Sequence, residues 1–196
     1  MGSVHASQPA SAQLLHTLGA RLRHRGPDDD GVWTEGNVGL AHRRLSIIDL
    51  SPAGHQPMVS TNERFVIAYN GEIYNFQQIR KLLGGVFWRG NSDTEVLIEA
   101  IARWGVTDTV TRLVGMFAFA VYDRYERTVT LVRDRLGIKP LYYGKVNGDL
   151  YFASELSAIP RSDLEIDRSS LALLLKRNHI PAPWSIYTGI LKLQPG

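Results

Sequence analysis

Residues 65–75 read Phe-Val-Ile-Ala-Tyr-Asn-Gly-Glu-Ile-Tyr-Asn, an apolar run that passes directly into polar side chains. The β-branched and aromatic residues predict a strand over Phe65–Tyr69. The pair Asn70-Gly71, taken alone, is typical of a hairpin turn. Its position between that strand and the segment 72–75 favours a different interpretation, in which residues 70 and 71 form part of a pocket wall.

Residues 89–95 read Arg-Gly-Asn-Ser-Asp-Thr-Glu and lead into a second decisive element. Apolar residues recur at helical spacing over Thr94–Trp104, which predicts a helix. Ser92 and Asp93 stand immediately before it, and short polar side chains are favoured at that position because they accept hydrogen bonds from the first free backbone amides. Asp93 taken alone is therefore interpreted as a helix cap.

Further patterns on both sides predict a chain that mixes helices and strands. The spacing of Leu14, Leu15, Leu18 and Leu22 predicts a helix over about 12–23 that stops at Gly26-Pro27. More helices are predicted over 76–83 and 169–176, and strands over 38–48, 116–122, 128–133, 141–146 and 150–152. Asn147-Gly148 is a strong hairpin signal, so the second half is predicted to be mostly antiparallel sheet.

Composition excludes several classes of protein. The 196 residues are 44% hydrophobic, enough for a sizeable core, and the formal charge is only +3. There is no cysteine, so disulfides and thiolate metal sites are excluded. No apolar run approaches the roughly 20 residues that span a bilayer, and the start lacks the pattern of a secretory signal. A cytoplasmic protein is expected, with no membrane partner.

Charged and histidine residues give no sign of a nucleic-acid or metal site. The cluster formed by Arg21, Arg23, His24 and Arg25 lacks interleaved aromatic residues, and we expect it to pair with the acidic run 28–30. His24, His42 and His55 lack the spacing of metal ligands, so structural or surface roles are expected for them. No nucleic-acid partner and no bound metal are predicted.

Six motifs in a fixed order carry a resemblance to a known family. They are Arg23-His24-Arg25-Gly26-Pro27-Asp28, Leu40-Ala41-His42-Arg43-Arg44-Leu45-Ser46-Ile47-Ile48-Asp49, Asn70-Gly71-Glu72-Ile73-Tyr74-Asn75, Gly115-Met116-Phe117-Ala118-Phe119, Arg133-Asp134-Arg135-Leu136-Gly137-Ile138-Lys139-Pro140-Leu141-Tyr142-Tyr143, and Phe152-Ala153-Ser154-Glu155. From about residue 14 to residue 196 the chain resembles glutamine-hydrolysing asparagine synthetases, in particular their amino-terminal class-II glutamine amidotransferase domain.

The resemblance implies an α+β fold, the four-layer αββα sandwich of the N-terminal-nucleophile hydrolases. Because residues 1–13 hold only Met1 and Val4 as larger apolar side chains, we expect the first strand of that sandwich to be lacking. Residues 1–13 are expected to be a leader outside the family or disordered, residues 14–160 the amidotransferase domain, and residues 161–196 a connector towards a synthetase domain.

The resemblance also implies a glutamine site. Arg44 matches the arginine that grips the α-carboxylate with two parallel hydrogen bonds, and Asp93 matches the carboxylate that holds the α-ammonium. Glu72 and the backbone of Gly71 are further acceptors. Asn70 and the Gly71 amide match the two oxyanion-hole donors. The loop of Arg44, Leu45, Ser46, Ile47 and Ile48 would close over the substrate.

The resemblance also shows that this chain lacks the nucleophile of the related enzymes. In these enzymes a cysteine that begins the mature chain attacks the amide carbon, its own α-amine takes the proton, and a short Cys-Gly-Ile strand follows. This chain has no cysteine. Ser3 could serve as the N-terminal nucleophile only if the first two residues were removed, and we do not expect this to happen. We therefore expect glutamine binding without hydrolysis by this chain.

The remaining implications concern partners. The family's synthetase domain uses ATP and magnesium to activate a carboxylate, and its Ser-Gly-Gly-x-Asp-Ser loop is not in this sequence; no cofactor is expected for this chain itself. The expected partners are L-glutamine and a synthetase domain normally on the same polypeptide, while a homodimer stays open. The acceptor could be aspartate or another carboxylate. The alternatives are a non-catalytic glutamine-binding or protein-interaction module of the same fold, or a structural remnant.

Overall fold

The computed structural model describes residues 1–162 and 164–196. Across these residues ten strands form two antiparallel sheets. The strands are β1 Gly2–Val4, β2 Asp29–Glu35, β3 Val38–Arg44, β4 Met58–Val59, β5 Phe65–Ile73, β6 Gly115–Asp123, β7 Thr128–Arg133, β8 Tyr142–Val146, β9 Asp149–Ala153 and β10 Ile190–Lys192. The first sheet has the order β10-β8-β9-β1-β3-β2, and the second has the order β4-β5-β6-β7.

Helices cover the outer faces of the two sheets. They are α1 Ala12–Ala20, α2 Phe76–Leu82, α3 Asp93–Trp104, α4 Val106–Arg112 and α5 Arg168–Arg177, with short 3-10 turns at Arg23–Arg25, Pro52–Gly54 and Leu156–Ala158. One buried cluster joins α1 to the six-stranded sheet, and another joins α2 and α3 to the four-stranded sheet. A third cluster, which includes Leu40, Val66 and Phe152, fills the space between the sheets. The predicted four-layer αββα sandwich is confirmed.

The expectation that the first strand is lacking is wrong. Gly2–Val4 forms β1 in the interior of the six-stranded sheet, where it pairs with β3 on one side and β9 on the other. Residues 2–4 thus belong to the domain rather than to a disordered leader. The strand was missed because it is only three residues long and begins with glycine. A Cβ atom on Gly2 would lie 2.6 Å from the Gly39 carbonyl oxygen, so the close pairing requires glycine.

Other boundaries also differ from the sequence prediction. Strand β2 was not predicted, and it begins within the acidic run 28–30, at Asp29. There Asp29 lies 2.8 Å from the His55 ring and Asp30 lies 3.0 Å from the Arg43 guanidinium. These contacts also correct the expected pairing of the arginine cluster, since Arg25 and His24 contact Glu155 instead.

Two further elements were missed. Helix α4 was not predicted, and neither was strand β10, which the expected connector 161–196 contributes to the sheet edge. The helix α5 in the same segment agrees with the helix predicted over 169–176.

Most of the other predicted elements are present. Strand β5 continues through residues 70 and 71 to Ile73, so that pair extends the strand and does not form a hairpin. The turn at Asn147-Gly148 is confirmed, with positive φ angles of 53° and 86°. Strand β3 ends at Arg44, four residues earlier than predicted, and residues 45–48 form a loop.

Asp134 fixes the turn that follows β7. Its buried carboxylate accepts hydrogen bonds from four backbone amides, those of Phe117 at 3.2 Å, Leu136 at 3.1 Å, Ile138 at 2.9 Å and Lys139 at 3.0 Å. Burial acts to raise its pKa, but these amide donors outweigh burial and the pKa of Asp134 is lowered. The charged form of this carboxylate is therefore stabilised by folding.

Replacing Asp134 by asparagine is expected to lower the free energy of unfolding by about 2–4 kcal/mol at pH 7, because hydrogen bonds to a charged acceptor are lost. The contribution of a carboxyl with a lowered folded-state pKa is present above the unfolded pKa and is lost as the pH falls through the folded value. The difference between parent and variant in urea unfolding should therefore shrink below about pH 4. Asp108→Asn, at an exposed position, is the control, and equal losses in both variants would contradict this account.

Candidate functional site

Two adjoining cavities lie between β3 and β5 and reach the start of α3. The larger has a volume of about 420 Å³, within the range of roughly 300–1,000 Å³ typical of small-molecule sites. The smaller has a volume of about 60 Å³ and is lined by Met1. Five residues line both cavities: Arg25, His42, Arg43, Tyr69 and Asn70. The smaller cavity is therefore an inner extension of the larger one.

Arg44 is the last residue of β3 and is buried at the wall of the larger cavity. Its guanidinium donates to the Ser51 carbonyl oxygen at 3.0 Å and to the Asp49 carbonyl oxygen. A guanidinium has five N–H donors, so three remain after these two bonds within the described residues. The group is thus held in one orientation and keeps donors for an anion.

The loop that orients Arg44 is itself held in place by the side chain of Asp49. The Asp49 carboxylate accepts from the Ser51 amide at 2.8 Å and from the Asn91 amide at 2.7 Å. A Cβ atom on Gly54 would lie 2.7 Å from the Arg44 Cζ atom, so the guanidinium packs where a larger residue would collide with it. Asp49 and Gly54 therefore position Arg44, although neither was predicted as a site residue.

Asp93 lies at the first turn of α3 and is buried. One of its carboxylate oxygens accepts from the Tyr69 hydroxyl at 2.6 Å and from the Ile73 amide at 3.0 Å. Burial raises the pKa of Asp93 above its usual value, against the opposite effect of these donors. Ser92 caps the helix by accepting from the Glu95 amide at 3.2 Å. Asp93 therefore lines the cavity in addition to beginning the helix.

Strand β5 brings Asn70, Gly71 and Glu72 to the wall of the same cavity as Arg44 and Asp93. The Asn70 Nδ2 atom is buried and has no hydrogen-bond partner in the part of the chain that the structure describes. Gly71 pairs with Phe117 of β6, and a Cβ atom there would lie 2.7 Å from the Phe117 Cα atom. The glycine is required by the close approach of the two strands.

The loop after Arg44 contributes three of its four predicted residues to the wall. Leu45, Ile47 and Ile48 line the larger cavity and are exposed, Ile47 by 71%. Ser46 does not line it, and its amide instead donates to the Asp28 carboxylate at 2.8 Å. The structure therefore brings eight of the nine predicted site residues to one cavity and leaves Ser46 outside.

Met1 lines the inner cavity, as does Asn70. Its α-amine donates to the Ala41 carbonyl oxygen at 2.8 Å, and the Ala41 amide donates back to the Met1 carbonyl oxygen at 2.8 Å. Burial lowers the pKa of this amine to about 5. The amine is therefore mostly uncharged at neutral pH and can accept a proton.

Ser3, His5 and Asp149 form a hydrogen-bonded row at β1. The Ser3 hydroxyl lies 3.0 Å from the His5 Nε2 atom, and the His5 Nδ1 atom lies 2.7 Å from the Asp149 carboxylate. This order is that of a catalytic triad. Ser3 is completely buried, however, and lines neither of the two cavities. The row anchors the first strand, and nothing in its setting would let Ser3 serve as the nucleophile.

Three residues that shape the cavity were not predicted from the sequence as site residues: Gln56, Tyr69 and His42. Gln56 lies between the loop and β5, where it accepts from the Tyr69 amide at 2.7 Å and donates to the Thr94 hydroxyl at 3.3 Å. Tyr69 holds Asp93 through its hydroxyl. The His42 Nε2 atom lies 3.0 Å from the Tyr69 carbonyl oxygen. The motif that contains His42 was the only available signal, because the partners of all three come from distant segments.

The part of the chain that the structure describes contains neither a cluster of metal-ligand side chains nor a helix that could cross a membrane. Within residues 1–162 and 164–196, no three histidine, aspartate or glutamate side chains lie close enough together to hold a metal ion. In the same part of the chain, none of the helices is both long and apolar enough to span a bilayer.

The sequence of the chain is similar to those of two bacterial asparagine synthetases. The chain is 37% identical over 188 residues to asparagine synthetase [glutamine-hydrolyzing] 1 of Bacillus subtilis, covering 94% of this chain and 29% of the relative. It is 43% identical over 144 residues to asparagine synthetase B [glutamine-hydrolyzing] of Escherichia coli, covering 72% of this chain and 26% of the relative. The chain thus spans about a third or less of the length of these relatives.

The chain also resembles a solved structure in its fold, and it matches a family model along its length. Glutamine phosphoribosylpyrophosphate amidotransferase from B. subtilis superposes with a TM-score of 0.68 at 22% identity, covering 80% of this chain and 42% of that one. That likeness shows a shared fold. The model of the family described as "glutamine amidotransferase domain" matches residues 1–196, which include the strand β1 and the terminal segment 161–196. The chain therefore belongs to the glutamine amidotransferase domain family, in the form found in proteins similar to asparagine synthetase.

Proposed function

We propose that the larger cavity binds L-glutamine. The observation that carries the proposal is the position of Arg44 and Asp93, a fixed cation and a buried carboxylate in the wall of one cavity of about 420 Å³. Free glutamine has an anionic and a cationic end, so each end finds a partner of opposite charge. The guanidinium can form parallel hydrogen bonds to the α-carboxylate, while Asp93 and Glu72 accept from the α-ammonium.

The carboxamide of glutamine would then extend towards the inner cavity, where Asn70 and Met1 lie. Asn70 and the Gly71 amide are the proposed donors to the amide oxygen. Met1 precedes Gly2–Val4 as the cysteine of the related enzymes precedes their first strand, so we assign residue 1 to the position of the nucleophile. A thioether sulfur carries no ionisable proton and does not form the acyl intermediate, so binding without hydrolysis is expected.

The wider role rests on the longer relatives. We propose that this domain belongs to an asparagine-synthetase-like system, in which glutamine nitrogen is transferred to aspartate or a related carboxylate by an ATP- and magnesium-dependent synthetase domain. The relatives named above, which are named as glutamine-hydrolysing asparagine synthetases, support this proposal. The cytoplasmic location and a homodimer stay predictions.

Isothermal titration calorimetry of the 196-residue chain with L-glutamine tests the proposed site. We expect saturable binding with Kd on the order of 1 mM or tighter, and much weaker binding of D-glutamine, since inverting Cα exchanges the positions of the two charged groups. A folded chain that shows no saturable binding at about ten times that concentration would contradict the proposal. Equal binding of the two enantiomers would also contradict it.

A further inference from the structure

His42 lines both cavities and carries an uncharged hydrogen-bond acceptor. Its Nε2 atom lies 3.0 Å from the Tyr69 carbonyl oxygen. A carbonyl oxygen only accepts hydrogen bonds, so Nε2 must carry the proton of the neutral ring. The Nδ1 atom is left with its lone pair and can only accept.

The environment keeps this ring neutral. Burial, followed by repulsion from the nearby N-terminal amine, lowers the pKa of His42 to about 3. The Nδ1 atom therefore stays unprotonated at all pH values near neutrality. Arg44 also lowers this pKa, while the bond to the Tyr69 carbonyl and Asp29 raise it without outweighing burial.

Asn70 presents the complementary group. It follows Tyr69 in β5, so the hydrogen bond from His42 to the Tyr69 carbonyl places the two side chains on neighbouring parts of the facing strands. Its Nδ2 atom carries two N–H donors. Within the described part of the chain, His42 Nδ1 and Asn70 Nδ2 are the two buried side-chain nitrogen or oxygen atoms that have no partner. Unpaired buried polar atoms are costly and uncommon, and each requires an explanation.

A primary carboxamide would pair with both atoms. Its oxygen accepts and its nitrogen donates, within one plane. A carboxylate has only acceptors, so its second oxygen would face the lone pair of His42 Nδ1 without a proton between them. This arrangement favours an amide and disfavours an acid of nearly the same shape.

We propose that His42 is the residue by which this cavity distinguishes glutamine from glutamate, accepting a hydrogen bond from the carboxamide nitrogen while Asn70 donates to the carboxamide oxygen. The proposal rests on the glutamine site proposed above. It assigns His42 a role in substrate selection, whereas the sequence alone indicated a structural or surface role.

Calorimetry with L-glutamine and L-glutamate on the intact chain tests this inference. We expect the parent to bind glutamine at least about 10-fold more tightly than glutamate, since glutamate would leave a buried polar group without a partner. His42→Phe, which removes the acceptor, should weaken glutamine binding about 10-fold and leave glutamate binding within about 3-fold. His42→Asn, which can place an oxygen near the Nδ1 position, should keep most of the preference. His179→Phe, at an exposed histidine outside both cavities, is the matched control.

A spectroscopic measurement does not depend on the folding of a variant. In the parent labelled with ¹⁵N-histidine, the lone-pair Nδ1 resonance of His42 should shift towards that of a hydrogen-bonded nitrogen when glutamine is added, and glutamate should leave it unchanged. The resonance of a purely structural histidine would not shift with either ligand.

The outcomes separate the two proposals. If the parent binds glutamine but His42→Phe keeps the full preference or the Nδ1 resonance does not move, the role of His42 is wrong and the glutamine site stands. If the parent binds glutamine and glutamate equally, the inference is likewise overturned. If it binds neither, the glutamine site itself fails, and the role of His42 fails with it.

Discussion

Replacing Met1 by cysteine is expected to give this chain a glutaminase activity at least on the order of 100-fold above the parent, because a nucleophile typically contributes far more than that to the rate of a covalent enzyme. The α-amine of residue 1 is the reason to expect one substitution to suffice. Its pKa is lowered to about 5 by burial, so at pH 7 the amine is uncharged and can take the thiol proton.

The remaining steps use groups already present. The thiolate sulfur would bond to the amide carbon, Asn70 and the Gly71 amide would stabilise the oxyanion, and the α-ammonium would return its proton to the departing ammonia. Water would then hydrolyse the thioester and release glutamate. The variant should be produced from a fusion protein whose cleavage leaves the new cysteine as the first residue. Ammonia release and glutamate formation should be measured together.

Two controls make this result specific. Met1→Ala removes the thioether without supplying a nucleophile and should remain inactive. Adding Asn70→Ala to the cysteine variant should lower the rate by roughly 100- to 1000-fold, the usual cost of one oxyanion donor. If the cysteine variant binds glutamine and is no more active than the alanine variant, then residue 1 is not at the position of the nucleophile.

Replacing Asp93 by asparagine should weaken glutamine binding by roughly 100-fold, because truncating one partner of a buried charge pair costs on the order of 2–5 kcal/mol. Asparagine has nearly the same shape, and its oxygen can still accept from the Tyr69 hydroxyl and the Ile73 amide. Stability should therefore change little, and the loss should come from the missing charge.

A ligand lacking the α-amine provides the matched control for Asp93. The parent should bind the deaminated analogue as weakly as the asparagine variant binds glutamine, and the variant should not distinguish the two ligands. Coupling of this kind isolates the contact between carboxylate and ammonium. A variant that still prefers glutamine over the analogue by as much as the parent does would show that Asp93 does not contact the ammonium.

The same contact predicts a pH dependence. Burial raises the pKa of Asp93 above the usual value, and a protonated carboxyl cannot pair with an ammonium. Glutamine affinity of the parent should fall as the pH is lowered through this raised value, at a higher pH than an ordinary aspartate would produce. The asparagine variant should lack that inflection.

Sequence patterns predicted elements whose apolar residues repeat clearly. Strand β5 and helix α3 were found because Phe65–Tyr69 and Thr94–Trp104 carry such patterns. Strand β1 was missed because Gly2 and Ser3 have low strand propensity, and its neighbours β3 and β9 supply its hydrogen bonds. Strand β2 was missed because the side chains that contact its aspartates, among them His55 and Arg43, come from other segments of the chain.

Some residues of the candidate site could likewise be predicted from the sequence, and others could not. Arg44, Asn70 and Asp93 were found through motifs, and the fold brings them to one cavity. The structural or surface role expected for His42 did not place it at the cavity, because its environment depends on a carbonyl of the facing sheet. Asp49 and Gln56 support the cavity through bonds to Asn91 and Tyr69, and such contacts between distant segments leave no local signal in a sequence.

A crystal structure of the chain with L-glutamine, at a concentration that saturates binding in solution, tests the central claim most directly. The account predicts glutamine in the larger cavity, with α-carboxylate oxygens within about 3.2 Å of the Arg44 guanidinium and the α-ammonium within about 3.2 Å of Asp93. Its carboxamide should point towards Asn70. Glutamine bound elsewhere, or bound in this cavity with its two charged ends exchanged, would contradict the account.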